Sequence, residues 1–363
     1  MLGDKLLYVS CSLRITMLHF ASSNPILLPR HYSTSPGTFH IEQSLTPRYL
    51  RPSVGVGGFT LHGGIGWLTS AHGPALDQLL EADIVLADGK VLTCSEIQNE
   101  DLFWAIRGAG SAFGIVTRMV IQAYEQKSMV WSGMMMFDKS ALKTVVDLAN
   151  KICLKENDGT ASLAWALFGR EGDVEVGLLP FYNGPEEEAK VYFAPLLELT
   201  PIVSLVKMMP ITEATMPHGS PAGRQWRKVT AGGCYVMPVD YSFVKSIEED
   251  LQDFVTRLPD AADTIIACEA HNPYPTFRKG QNSTAYPFRG NHVSVQIMTT
   301  WSQQENDEAC WDFCRTMDAK LHTEFVSRKN DAGMDETTKT SVGTYINYDG
   351  MSDLELENSL TDT

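Results

Sequence analysis

Residues 53–124 read SVGVGGFTLHGGIGWLTSAHGPALDQLLEADIVLADGKVLTCSEIQNEDLFWAIRGAGSAFGIVTRMVIQAY, and the order of turns and short elements in this stretch decides the fold. Gly55, Gly57, Gly58, Gly63, Gly64 and Gly66 place six glycines in twelve residues. Glycine has no Cβ and tolerates positive φ, so its backbone can approach a flat or charged ligand where other residues collide. That density fits a loop shaped around a ligand, and it fits equally a strand pair bent sharply against another backbone. Ile84 to Leu86 and Val91 to Thr93 flank Asp88-Gly89, a hairpin signal. Asn99 stands where a capping side chain opens a short helix, with Leu102, Phe103 and Ile106 on one apolar face. Gly108 to Gly114, GAGSAFG, has the composition of a glycine-rich phosphate loop. It follows a helix and precedes a strand, however, which reverses the strand-to-helix order such a loop requires. Ile115 to Tyr124 completes the stretch as a strand.

The chain has 363 residues, enough for a sizeable core and one to three domains. Hydrophobic residues make up 44% and charged residues 20%, the balance of an ordinary globular protein. The formal charge of −15 argues against nucleic acid and acidic membrane surfaces as partners, since both need clustered cations. The cysteines at 11, 94, 153, 234, 268, 310 and 314 have no C-x-x-C spacing and imply neither a disulfide framework nor a zinc site. The histidines show no metal-ligand spacing, and no G-x-S-x-G elbow supports a serine hydrolase. Leu6 to Ala21 is moderately apolar but interrupted by Arg14 and His19, so it reads as neither a signal peptide nor a membrane span.

Beyond Val130 the pattern changes. Asp138 caps a helix running to Lys155, and Ser162 to Phe168 with Val174 to Tyr182 predict a hairpin around Glu171-Gly172-Asp173. Pro185 opens a helix to about Leu199, and a second fits Phe243 to Leu258. Strands fit Thr264 to Cys268 and His292 to Trp301, and a long helix fits Gln304 to Leu321. Hairpins mixed with long helices predict an antiparallel sheet covered on one face, hence an α+β chain.

SVGVGG, GGIGWL, the run D-x-L-x-x-A-D-x-V-x-A-D-G from Asp77 to Gly89, NEDLFWAIRGAG and FGIVT keep their order and spacing over about seventy residues. Together they resemble the second half of the PCMH-type FAD-binding domain of vanillyl-alcohol-oxidase-type flavoproteins, in the berberine-bridge-enzyme-like branch. STAYPFRG at 283–290 is similar to a T-A-F-P-H-R segment of fungal members, with Phe288 in place of the histidine, and TYINYDG at 344–350 to their C-terminal Y-x-N-Y-x-D segment. The resemblance implies residues 53–126 as the C-terminal half of an FAD-binding domain and 127–335 as an antiparallel-sheet substrate domain covered by helices. It implies 336–363 as a return to the flavin and a tail, and it leaves 1–52 unassigned and poorly ordered. Residues 1–52 match none of the family's R-G-G-G-H-S phosphate loop, whose histidine commonly bonds to the flavin, and Arg51 stands where some members place a flavin-linking cysteine. The chain thus reads as apparently lacking the N-terminal half of its FAD-binding domain, with no covalent flavin link assigned.

By resemblance, FAD lies along the backbone of Ser53, Val54, Gly55, Val56, Gly57, Gly58, Gly63, Gly64, Gly66, Gly110, Gly114, Ile115 and Val116, with Asn347 fixing the flavin edge. The implied activity is that of an oxidase of secondary metabolism or oligosaccharides. It passes hydride from a small-molecule substrate to flavin, with O2 as acceptor and no nucleic acid or membrane partner. Tyr348 aligns with a family tyrosine that acts as base, and it also reads as a core aromatic with a satisfied hydroxyl. Glu269, in ACEAHNPY, is a second proton carrier, a substrate hydrogen-bond partner or an ordinary strand-end glutamate on the surface. Plant members carry a catalytic glutamate where this chain has Ser294. The competing reading is a truncated or degenerate member without competent flavin binding or catalysis.

Overall fold

A computed structural model describes residues 6–9, 55–122, 124, 126, 129–154, 157–214, 227–328, 331, 334, 336–340, 345 and 348. Two antiparallel sheets organise them. The first consists of β1 (Leu6–Val9), β2 (Leu79–Val85), β3 (Val91–Ser95) and β4 (Ile115–Gln122), in the order β1-β4-β2-β3. The expected Asp88-Gly89 turn closes β2 onto β3, with Gly89 at φ +83°. The fourth strand comes from the segment that the sequence leaves unassigned, Leu6 to Val9 pairing with Gln122 to Met119.

Three helices serve this half: α1 (Val56–Leu61), α2 (Thr69–His72) and α3 (Glu100–Ala109). Phe59, Leu61, Leu79, Ile84, Phe103 and Ile106 form its core. The first glycine cluster is therefore helical at its start, an outcome that neither reading of its glycine density foresaw. Asn99 does precede α3 but does not cap it. It sits at φ +48° and turns its amide to donate to Thr93 O at 2.7 Å, a conformation asparagine tolerates.

The second sheet takes up β5 (Val130–Ser132), β6 (Met135–Asp138), β7 (Ala161–Arg170), β8 (Asp173–Tyr182), β9 (Val203–Ser204), β10 (Lys207–Met209), β11 (Arg227–Val236), β12 (Ile265–Ala270) and β13 (His292–Trp301). Its main path is β10-β5-β8-β7-β12-β13-β11, with β6 on β8 and β9 on β6. Side chains alternate along each strand. Trp165 and Leu167 of β7, Ile266 and Cys268 of β12, and Val295 and Ile297 of β13 share one face and form the main core with α4 (Leu142–Ile152), α8 (Tyr241–Arg257) and α10 (Asp307–Arg328). The opposite face carries Ala164, Ala166, Ala267, Glu269, Ser294 and Gln296.

The helix expected from Pro185 to Leu199 is two short ones, α5 (Glu186–Tyr192) and α6 (Ala194–Leu197). Pro195 has no N–H to return to Val191, and the chain breaks at Phe193, whose fully buried ring stacks on Trp131 at 5.4 Å. The remaining short helices are α7 (Ile211–Ala214), α9 (Tyr274–Phe277) and α11 (Glu336–Thr340). No described helix is long and apolar enough to cross a membrane.

Candidate active site

The two halves meet on the sheet face that carries Glu269. Trp67 stacks on Phe181 with ring centroids 5.0 Å apart, and the hydroxyls of Ser70 and Ser162 lie 2.7 Å apart. Ser70 Oγ also accepts the Asn272 N–H at 2.9 Å, two residues past the end of β12. A second link is ionic. Arg289 donates from Nη2 to Asp77 Oδ1 at 2.8 Å and from Nη1 to Asp77 Oδ2 at 2.9 Å, with both side chains almost wholly out of solvent. Thr284 Oγ1 and Thr276 O accept from the same guanidinium. This bidentate pair clamps the 283–290 segment onto the turn before β2, and nothing in the spacing of two residues 212 apart announced it.

A third link runs through Gly108, where the backbone leaves helical geometry at φ +132° and a Cβ would lie 2.3 Å from Tyr286 N. The close approach lets Arg107 O accept the Tyr286 N–H at 3.0 Å. Gly108→Ala is expected to lose about 2–3 kcal/mol in urea unfolding, because a backbone atom rather than a flexible side chain stands in the way. A loss below 0.5 kcal/mol, roughly the size of a neutral surface change, would contradict that contact.

Between these links lie the aromatic residues Tyr286, Phe288, Tyr345 and Tyr348, with Ile65 and Leu76 beneath them. Tyr286 meets Tyr345 edge-on at 6.3 Å, and Tyr345 meets Tyr348 edge-on at 4.9 Å. Tyr345 Oη accepts the Gly64 N–H at 2.8 Å, and the Tyr348 N–H donates to Tyr345 O at 2.8 Å. The two proton-handling candidates from the sequence come together here, since Tyr348 hydrogen-bonds to the carboxyl of Glu269. Glu269 is not the surface strand-end residue of the plainer reading. It is buried near the end of β12, and its Oε2 has no hydrogen-bond partner among the described residues. Burial pushes its pKa up to about 7, with the Tyr348 hydrogen bond pulling the other way.

Two buried histidines lie in this region, His271 two residues beyond Glu269 and His292 near His271. His271 Nδ1 lies 3.3 Å from Glu269 O, and His292 Nδ1 lies 2.8 Å from Gly290 O. Burial lowers both, His271 to about 4, so they are neutral near pH 7. Among the described residues no cluster of three His, Cys, Asp or Glu side chains could hold a metal ion.

The glycines divide into two sets. At Gly55, Gly57 and Gly58 a Cβ would meet nothing within 4 Å among the described residues. This open backbone begins α1, where the first N–H groups have no intrahelical acceptor. Gly63, Gly64, Gly110 and Gly114 instead have their missing Cβ accounted for by protein atoms: Tyr286 with Tyr345, Ala75 with Phe59, Leu61, and Val85 O. The two glycine bends adjoin, with Leu61 against Gly110 and His62 Nε2 3.0 Å from Ser111 Oγ. Val116 packs against the core of its half, whereas Ile115 is exposed. Ser53, Val54 and Asn347 lie outside the described residues. Open backbone N–H donors at 55–58 and a buried carboxyl oxygen that no described residue satisfies, an acceptor, are groups a flavin nucleotide could engage, so the residues present fit FAD at these two places.

Residues 43–95 match the FAD binding domain family. Over 154 residues the chain is 44% identical to the FAD-linked oxidoreductase pgmH of Aspergillus terreus, covering 41% of this chain and 31% of that protein. It is 60% identical over 65 residues to the xylooligosaccharide oxidase of Thermothelomyces thermophilus, covering 18% and 13%. The chain thus spans less than a third of either relative. The fold is that of BBE-like 1 from Physcomitrella patens, with a TM-score of 0.65 at 18% identity over 84% of this chain and 64% of that one. Motifs, domain match and fold agree: over these segments the chain is similar to FAD-linked oxidoreductases, and it shares the fold of a berberine-bridge-enzyme-like protein.

Proposed function

We propose that this chain is an FAD-dependent oxidase, in which Tyr348 and Glu269 handle the proton released as a small organic substrate is oxidised. FAD bound here supplies the hydride acceptor, with O2 as the final oxidant. The observation that carries this reading is the contact of Tyr348 with the buried Glu269 at the junction of the halves, with one carboxyl oxygen left without a partner among the described residues. A free phenol, with its pKa of about 10, is a weak base at neutral pH. Glu269, poised to about 7, can take the proton that Tyr348 passes on, so the pair works where neither group suffices alone. Glu269 also stands directly opposite Ser294 in the β12–β13 ladder, which puts a carboxyl one strand away from the position where plant members carry theirs.

The open backbone of Gly55, Gly57 and Gly58 would receive the nucleotide, and the substrate would lie over the sheet face that bears Glu269. The name of the xylooligosaccharide oxidase supports an oligosaccharide as one substrate class, and a secondary metabolite is the other. Tyr348→Phe keeps the ring and removes the proton carrier. Reduction of bound flavin by a turned-over substrate should slow roughly a hundredfold while flavin content is unchanged. Unaltered reduction in rapid mixing would remove Tyr348 from this role. One observation favours a second reading, a scaffold without competent flavin binding: four of the glycines expected to face FAD are closed by protein atoms. Visible flavin absorbance of the purified chain supplied with FAD separates the two, a colourless product favouring the scaffold.

A further inference from the structure

We propose that Tyr345 is a positioning residue, which holds the Tyr348 hydroxyl against Glu269 by tying the C-terminal tyrosine turn to the backbone of Gly64. The inference rests on the proton role proposed above. Tyr345 is 3% exposed, and its hydroxyl accepts the Gly64 N–H across 281 residues of chain. Its ring fills the space that a Cβ on Gly63 would need, with Cε2 2.8 Å from that point.

The anchor is itself rigid. Gly63 O accepts the Leu76 N–H at 2.9 Å and Gly64 O the Ala75 N–H at 2.8 Å, just before Asp77 and its buried pair with Arg289. On the other side, the Tyr348 N–H bond to Tyr345 O and the edge-on ring contact fix Tyr348 relative to Tyr345. A continuous line of short contacts therefore runs from Arg289 through Asp77, Gly64 and Tyr345 to the Tyr348–Glu269 pair. Losing the Gly64 bond frees the turn to move by a fraction of an ångström, and proton transfer is sensitive to displacements of that size.

The test replaces Tyr345 with Phe, which keeps the ring seated on Gly63; circular dichroism checks the fold. The Glu269 carboxyl is followed by infrared titration of the purified chain, with Glu269→Gln assigning the band. The groups around it are Tyr348, His271, His292, Cys268 and Tyr286. Because the Tyr348 bond lowers the Glu269 pKa, both Tyr345→Phe and Tyr348→Phe should move the titration upward, and the double variant should move it no further. Reduction of bound flavin should slow about tenfold in Tyr345→Phe. If Tyr348→Phe moves the titration and Tyr345→Phe leaves it at the wild-type position, the positioning role is overturned and the proton role stands. If both move the titration and neither slows reduction, the proton role fails and the positioning role stands. If neither variant moves the titration, the contact is not made in solution and the inference is overturned.

Discussion

Asp77→Ala is expected to destabilise the fold by about 3–5 kcal/mol, the largest single-residue loss this structure implies. The size follows from what the substitution leaves behind. Arg289 keeps its positive charge at a buried site, with Thr276 O and Thr284 Oγ1 as its remaining acceptors, and its Nε already lacks a partner among the described residues. An uncompensated buried guanidinium is costly because neither solvent nor a counter-charge can reach it. The pair itself need not add much net stability, since removing two charges from water offsets most of their attraction. This asymmetry makes the prediction specific. Asp77→Leu combined with Arg289→Met, which removes both charges, should recover most of the single-variant loss in urea unfolding. If Asp77→Ala costs less than about 1 kcal/mol, the pair behaves as a solvated surface bridge and the clamp on the 283–290 segment is loose.

How far the sequence carries this architecture can be judged element by element. The β2–β3 and β7–β8 hairpins are legible because Asp88-Gly89 and Glu171-Gly172 supply turn chemistry between β-rich runs, and Glu171 and Gly172 do take positive φ. The α8 and α10 helices are legible from apolar periodicity. The β11 strand was missed because Gly232-Gly233 interrupts its pattern, although its ten residues pair in unbroken register with β13. Part of the glycine stretch has a use other than a ligand loop. Gly63, Gly64, Gly110 and Gly114 serve close packing of protein on protein, a use that composition cannot distinguish from contact with a ligand. Glu269 and Tyr348 were named separately, each from its own motif. That they touch is a product of tertiary structure, as is the Asp77–Arg289 clamp, because neither follows from local periodicity or spacing.

The contact also makes stability depend on pH in a way that tests the burial of Glu269. Its pKa in the folded chain is raised from 4.5 to about 7, so the neutral form is the one the fold favours. A raised folded value means that this contribution is complete below pH 4.5 and is lost as pH climbs to about 7, the folded state then holding a buried charge. Over that window the loss is about 3 kcal/mol. His271 acts in the opposite sense. Its folded pKa of about 4 lies below the ordinary 6.5, so the unfolded chain binds the extra proton between these values and stability rises with pH; His292 shifts in the same direction. In the wild-type chain these slopes oppose one another between pH 4.5 and 6.5, and the measured profile should be shallow. Glu269→Gln removes one slope and leaves the other. The difference in unfolding free energy between wild type and Glu269→Gln should therefore fall by about 3 kcal/mol from pH 4.5 to pH 7.5, with the variant growing more stable toward neutrality. Urea titrations at four pH values across this range measure it directly. A difference that stays constant would mean that the carboxyl titrates as a solvated glutamate, and the poised pair at the junction of the two halves would then lose its physical basis.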